Sequence, residues 1–150
     1  MFLNLENLIT RKMRKVWMLK LVKLTCRTHV YSTESIEKVK KAVQNILGET
    51  ILQSNKTSLT GHFGDSITVL EYVGEDPEQV GLIFRRVVSK VGMGVVGVEE
   101  RGAGGGKLHI RLDKQKAYLG EVAAEDIDPI KLEFTYVGDW REALKWQSNT

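Results

Sequence analysis

An α+β fold, an antiparallel sheet with helices packed on one face, is predicted by three observations. Residues 20–31 and 107–112 alternate apolar and polar side chains, the period of a half-buried strand. Residues 36–47 and 80–91 carry apolar side chains at helical spacing, each run preceded by capping residues. The elements then follow the order β-α-β-β-α-β-β-α, for which an antiparallel sheet backed by helices is the natural packing. The chain has 150 residues, 42% of them apolar and 27% charged, enough for one domain with a real core. Residues 18–150 are expected to form that domain.

The elements can be justified in order. Residues 1–17, "MFLNLENLITRKMRKVW", have no partner in the later pattern and are expected to be a flexible tail or a start-site extension, with Met13 and Met18 as further candidate starts. Their apolar part precedes their basic part, the reverse of a secretory signal. In "KLVKLTCRTHVY" (20–31), Val22, Leu24, Cys26, Thr28 and Val30 share one face, and Lys23, Thr25, Arg27, His29 and Tyr31 share the other. Cys26 is the only cysteine, so there is no internal disulfide, and its apolar phase reads as a small buried side chain. Thr33 is a fitting N-cap for a helix built on Ile36, Val39, Ala42, Val43, Ile46 and Leu47, ended by Gly48. Lys38, Lys40 and Lys41 lie on its outer face.

Strands are expected at 50–56 and 65–73, joined through the turn "TGHFGDS". "EDPEQV" opens a second helix, with Asp76 as N-cap, Pro77 in the first position and Gln79 completing a capping box. Its stripe is Val80, Ile83, Phe84, Val87 and Val91. The glycine-rich 92–106, "GMGVVGVEERGAGGG", is expected to be a mobile connector; Lys107 leads into a strand rather than a helix, which argues against a phosphate loop. After the strand "KLHIRL" (107–112), Asp113 caps a short helix or turn. Lys114, Gln115 and Lys116 are then expected at the rim, and Ala117, Tyr118 and Leu119 in the core. A strand at 130–137 turns Ile130, Leu132, Phe134 and Tyr136 inward. A capping box from Asp139 to Glu142 opens a final helix with Trp140 and Leu144 on one side.

The polar side of the sheet then collects Lys23, Thr25, Arg27, His29, Tyr31, Lys107, His109, Arg111, Lys131, Glu133 and Thr135. Side chains on one face of a strand recur about every 7 Å, close to the phosphate spacing of a nucleic-acid strand, and an aromatic ring there can stack on an unpaired base. A net charge of +3 is compatible with an anionic partner. The expected RNA contacts are Lys23, Arg27, His29, Tyr31, Lys107, His109, Arg111, Lys114 and Lys116. The same face could instead dock an acidic protein surface, making the chain an adaptor. A metal-dependent hydrolase would need His29, His62 and His109, but no His-x-x-x-His spacing, partner cysteine or nucleophile elbow supports one. No catalytic residue, metal or cofactor is expected. No apolar run is long enough to span a bilayer, and a cytoplasmic location is expected.

Three motifs, "RTHVYSTESIEKVKKAVQNIL", "GHFGDSITVLE" and "RLDKQKAYLGEV…DPIKLEF", resemble the small archaeal RNA-binding proteins sometimes described as predicted exosome subunits. The resemblance runs in order over roughly residues 20–137. It implies an archaeal source, RNA binding, possible association with an RNA-processing complex such as the exosome, and an α+β fold similar to the fifth protein of the large ribosomal subunit. The family pattern has "GHHGNPI" where this chain has Gly61-His62-Phe63-Gly64-Asp65-Ser66-Ile67, and the added charge of Asp65 argues against a phosphate in that loop.

Overall fold

A computed structural model describes residues 18–48, 53–60, 66–102 and 104–147. The expectations for residues 1–17 and for His62 to Asp65 lie outside them. Six strands, β1 (Lys20–Tyr31), β2 (Gln53–Thr60), β3 (Ser66–Gly74), β4 (Gly97–Glu100), β5 (Gly105–Leu112) and β6 (Ile130–Val137), form one sheet in the order β2-β3-β1-β6-β5-β4. Every pair in it is antiparallel. The helices are α1 (Ile36–Leu47), α2 (Pro77–Val91), α3 (Lys114–Tyr118) and α4 (Leu144–Gln147), the last entered through a 3-10 turn at Trp140–Ala143.

One side of the sheet makes the core. Leu24 and Cys26 of β1, Leu108, Ile110 and Leu112 of β5, and Leu132 and Phe134 of β6 pack against Ala42, Val43 and Ile46 of α1 and Val80, Ile83, Phe84 and Val87 of α2. Phe84 meets Phe134 edge-on, centroids 4.9 Å apart, the favoured geometry for a ring pair. Burial raises the Cys26 thiol to about 12. The α+β class and the one-sided helical layer are therefore as the sequence predicts.

Several local expectations change. A bulge between Leu21 and Lys23 turns Leu21 inward, where strict alternation predicts Val22. Ser35 rather than Thr33 caps α1, its hydroxyl accepting from the Lys38 N–H. Asp76 caps α2 through the Glu78 N–H, with no side-chain bond from Gln79 among the described residues, and Asp139 caps the last turn through the Arg141 N–H. The strand expected at 50–56 runs at 53–60. The glycine-rich 92–106 is not a structureless connector: a 3-10 turn at Met93–Val95 leads into β4, which pairs with β5. Glycine is required in that hairpin at Gly106, where a Cβ would fall on the Glu99 carbonyl oxygen and the Tyr136 ring. Leu119, expected in the core, is exposed because α3 ends at Tyr118, and in the last turn Ala143 takes the inward position while Leu144 is exposed.

Candidate nucleic-acid interface

The side of the sheet away from the helices is open, and strand register decides what meets there. Arg27 of β1 lies opposite Lys131 of β6, and Lys131 lies opposite Arg111 of β5. Three cations thus stand in one line across three adjacent strands, each about 4.8 Å from the next at the backbone. Like charges directly opposite one another destabilise a sheet. Glu71 of β3 faces Arg27 from the other side and accepts from its guanidinium, with Nε 2.9 Å from Oε2. Among the described residues, Lys131 and Arg111 form no ion pair, nor does Lys23 four residues before Arg27 on β1.

The neighbouring line is compensated. Lys107 Nζ lies 2.9 Å from Glu133, and the His109 imidazole donates Nε2–H to Glu99 at 3.1 Å. Burial pushes the Glu133 carboxyl upward, but the hydrogen bond and charge of Lys107 outweigh it and leave that carboxyl below its ordinary value. Glu99 is likewise lowered, first by the His109 hydrogen bond and then by Arg101. The Nδ1 atom of His109 is buried without a hydrogen-bond partner. Among the described residues, Lys23, Arg27, Lys107, Arg111 and Lys131 share the face with Glu71, Glu99 and Glu133, so it is basic only in part, and the cations left without an ion pair are Lys23, Lys131 and Arg111.

At the end of β1 the His29 and Tyr31 rings are 6.5 Å apart, and Tyr31 remains 40% exposed. Beneath them is the main departure from the sequence reading. Lys114, expected at the rim, is only 8% exposed. Its ammonium donates to the His29 carbonyl at 2.6 Å, to Asp128 at 2.8 Å and to Glu34 at 3.1 Å, and lies 5.3 Å from the centre of the Tyr31 ring. The cause is local. Asp113 caps α3 through the Lys116 N–H, and that first turn aims residue 114 back under β1. Asp128 meets it from a left-handed backbone, φ 48°, unusual for a residue other than glycine. Lys114 is thus a clamp that positions His29 and Tyr31. Lys116 is exposed on α3, which packs against α1 through Asn45 bonds to the Ala117 and Tyr118 carbonyls, so it leaves the cationic line. His29 and His109 do not meet: β6 lies between their strands. No group of three His, Cys, Asp or Glu side chains able to hold a metal comes together among the described residues, and no helix among them is long and apolar enough to cross a membrane.

Lys131 is a member of the cationic line that the sequence reading did not count among its expected contacts. It was visible on the polar phase of its strand, but only the register places it between two arginines.

A single antiparallel sheet with helices on one face and a partly cationic open face places the chain among small α+β proteins. Comparison with known proteins makes this specific. A family model described as RNA binding matches residues 23–136, and the chain belongs to that family. It is 30% identical over 109 residues to the RNA-binding protein PAB1135 of Pyrococcus abyssi, covering 67% of this chain and 71% of that one. Among solved structures, protein AF2318 from Archaeglobus fulgidus, a DUF54 protein, shares 26% identity at a TM-score of 0.62, covering 77% of this chain and 86% of that one. Mth689, a DUF54 protein from Methanothermobacter thermautotrophicus, shares 27% identity at a TM-score of 0.61, covering 87% and 95%.

Proposed function

We propose that this chain binds single-stranded RNA on the open face without acting on it chemically. The Arg27–Lys131–Arg111 line carries the reading: three cations are held side by side at a cost in sheet stability, and that cost is offset when phosphates lie over them. Membership of an RNA-binding family supports it. Lys23 extends the charge along β1, and Tyr31, steadied by Lys114, offers a ring on which a base can stack. The face offers ion-paired carboxylates and one histidine bonded to Glu99, which is a binding surface and not a nucleophile with its base.

The test is fluorescence anisotropy of a single-stranded RNA over a range of salt. Four neutralised phosphates, at about −0.7 each, give a slope of log K against log salt near −3. Arg111→Ala and Lys131→Ala should each flatten it by roughly 0.7 and weaken all sequences alike. Tyr31→Ala should cost about 1–3 kcal/mol with the slope unchanged. Lys40→Ala, on α1 behind the sheet, serves as the control. No binding by the wild type at low salt, or a loss at Lys40 equal to that at Arg111, overturns the open-face reading and favours a protein-docking face.

A further inference from the structure

β4 begins only at Gly97, and its pairing with β5 reaches no further than His109. Beyond it β5 continues for three residues, and its far end is met by a different segment, through the Leu112–Ala124 bridge and the Glu125 N–H donating to the Arg111 carbonyl. The edge of the sheet is therefore notched. His109 and Arg111 form the floor, Val95 and Gly97 one wall, and Glu125 and Asp126 the other, around a groove of about 470 Å3. From His109, where one wall ends, to Arg111, where the other begins, the strand spans about 7 Å, the room of one flat ring with a contact on each face. The notch opens beside Arg111, the last cation of the line across the sheet, so an RNA strand following that line arrives at it.

The chemistry of the groove differs from that of the line. Two carboxylates repel a phosphate, so what fits is an uncharged group rich in donors. Glu125 Oε1 is engaged by the Asp126 and Ile127 N–H groups, at 3.0 and 3.2 Å, which fixes the wall. The Asp126 carboxylate has no hydrogen-bond or ion-pair partner among the described residues and is exposed. Among the four RNA bases only guanine presents two adjacent donors, N1–H and the N2 amine, which match the two oxygens of one carboxylate. Its adjoining edge carries the O6 and N7 acceptors that an arginine pairs with in bidentate fashion. Asp126 in the wall and Arg111 in the floor beside it complement these two adjoining edges.

We propose that this notch is a guanine subsite, in which Asp126 accepts from the Watson–Crick edge of one base while Arg111 donates to its O6/N7 edge. The proposal rests on the RNA reading above and adds sequence preference to it. The probes are oligouridylates of eight nucleotides, unmodified or with a single central guanosine, inosine or adenosine, titrated by anisotropy. The guanosine oligomer should bind about tenfold tighter than the all-uridine one. Inosine, which lacks the N2 amine, should lose most of that gain, and adenosine all of it. Asp126→Ala should erase the preference while leaving affinity for the uridine oligomer and its salt slope intact or slightly raised. A melting curve matching wild type shows that the variant folds. If guanosine binds no tighter than adenosine, or if its advantage survives Asp126→Ala, the subsite is refuted. When the uridine oligomer still binds with a salt slope near −3, that refutation leaves the phosphate reading standing. If no oligomer binds at low salt, both fall.

Discussion

At the scale of the residue, Lys114 shows how a charge that looks like a ligand contact becomes part of the scaffold. A lysine between a strand and an apolar stop suggests a basic rim, yet its ammonium is enclosed by two carboxylates, a carbonyl and an aromatic ring. Removing one partner of a buried ion pair leaves the others desolvated and uncompensated. Glu34 and Asp128 keep 28% and 34% exposure, so water recovers part of the loss. Lys114→Met should therefore cost roughly 2–3 kcal/mol, below the range for a fully buried pair, read as a shift in the urea midpoint. The same variant should loosen the His29–Tyr31 end of β1 and weaken RNA binding without changing its salt slope, because no phosphate contact is lost. A flattened slope would return Lys114 to the list of direct contacts.

At the scale of the element, the glycine-rich segment is the instructive case. Its glycines read as flexibility, but at Gly106 the absence of a side chain lets β4 approach β5 beside the Tyr136 ring. Gly106→Ala should push β4 off the sheet. That removes the Glu99 partner of His109 and opens the notch at Gly97, with a loss of about 1–3 kcal/mol from overpacking. Hydrogen exchange should show the amides of β4 losing protection while those of β1 and β6 keep theirs. Unchanged protection in β4 would mean that the hairpin absorbs a methyl group, contrary to the geometry.

At the scale of the whole molecule, the open face links stability to pH. Glu99 and Glu133 both titrate below their ordinary value in the folded protein. As the pH falls past about 4.3 the unfolded chain takes up protons first, so the stability these groups contribute is fully present above that value. It is lost as the pH drops through their folded values. Urea midpoints measured from pH 7 to pH 3 should therefore decline in the acid range, and Glu133→Gln should make the decline shallower. An equally steep decline in the variant would show that the Lys107 pair does not contribute to acid sensitivity.

The sequence by itself determined the α+β class, the helical stripes, the inward faces of β5 and β6, and the polar phase on which Lys23, Arg27, His29, Tyr31, Lys107, His109 and Arg111 stand. These follow from periods of 2 and 3.6 residues, which are local properties of the chain. Tertiary structure alone decided which of those residues become neighbours. Strand order put β6 between β1 and β5, which brought Lys131 between two arginines and kept His29 apart from His109. A cap at Asp113 and a left-handed Asp128 turned Lys114 inward, and the start of β4 at Gly97 left the notch beside Arg111. Such outcomes rest on pairings between residues far apart in the chain, and a periodic pattern states which face a side chain takes without stating what stands beside it.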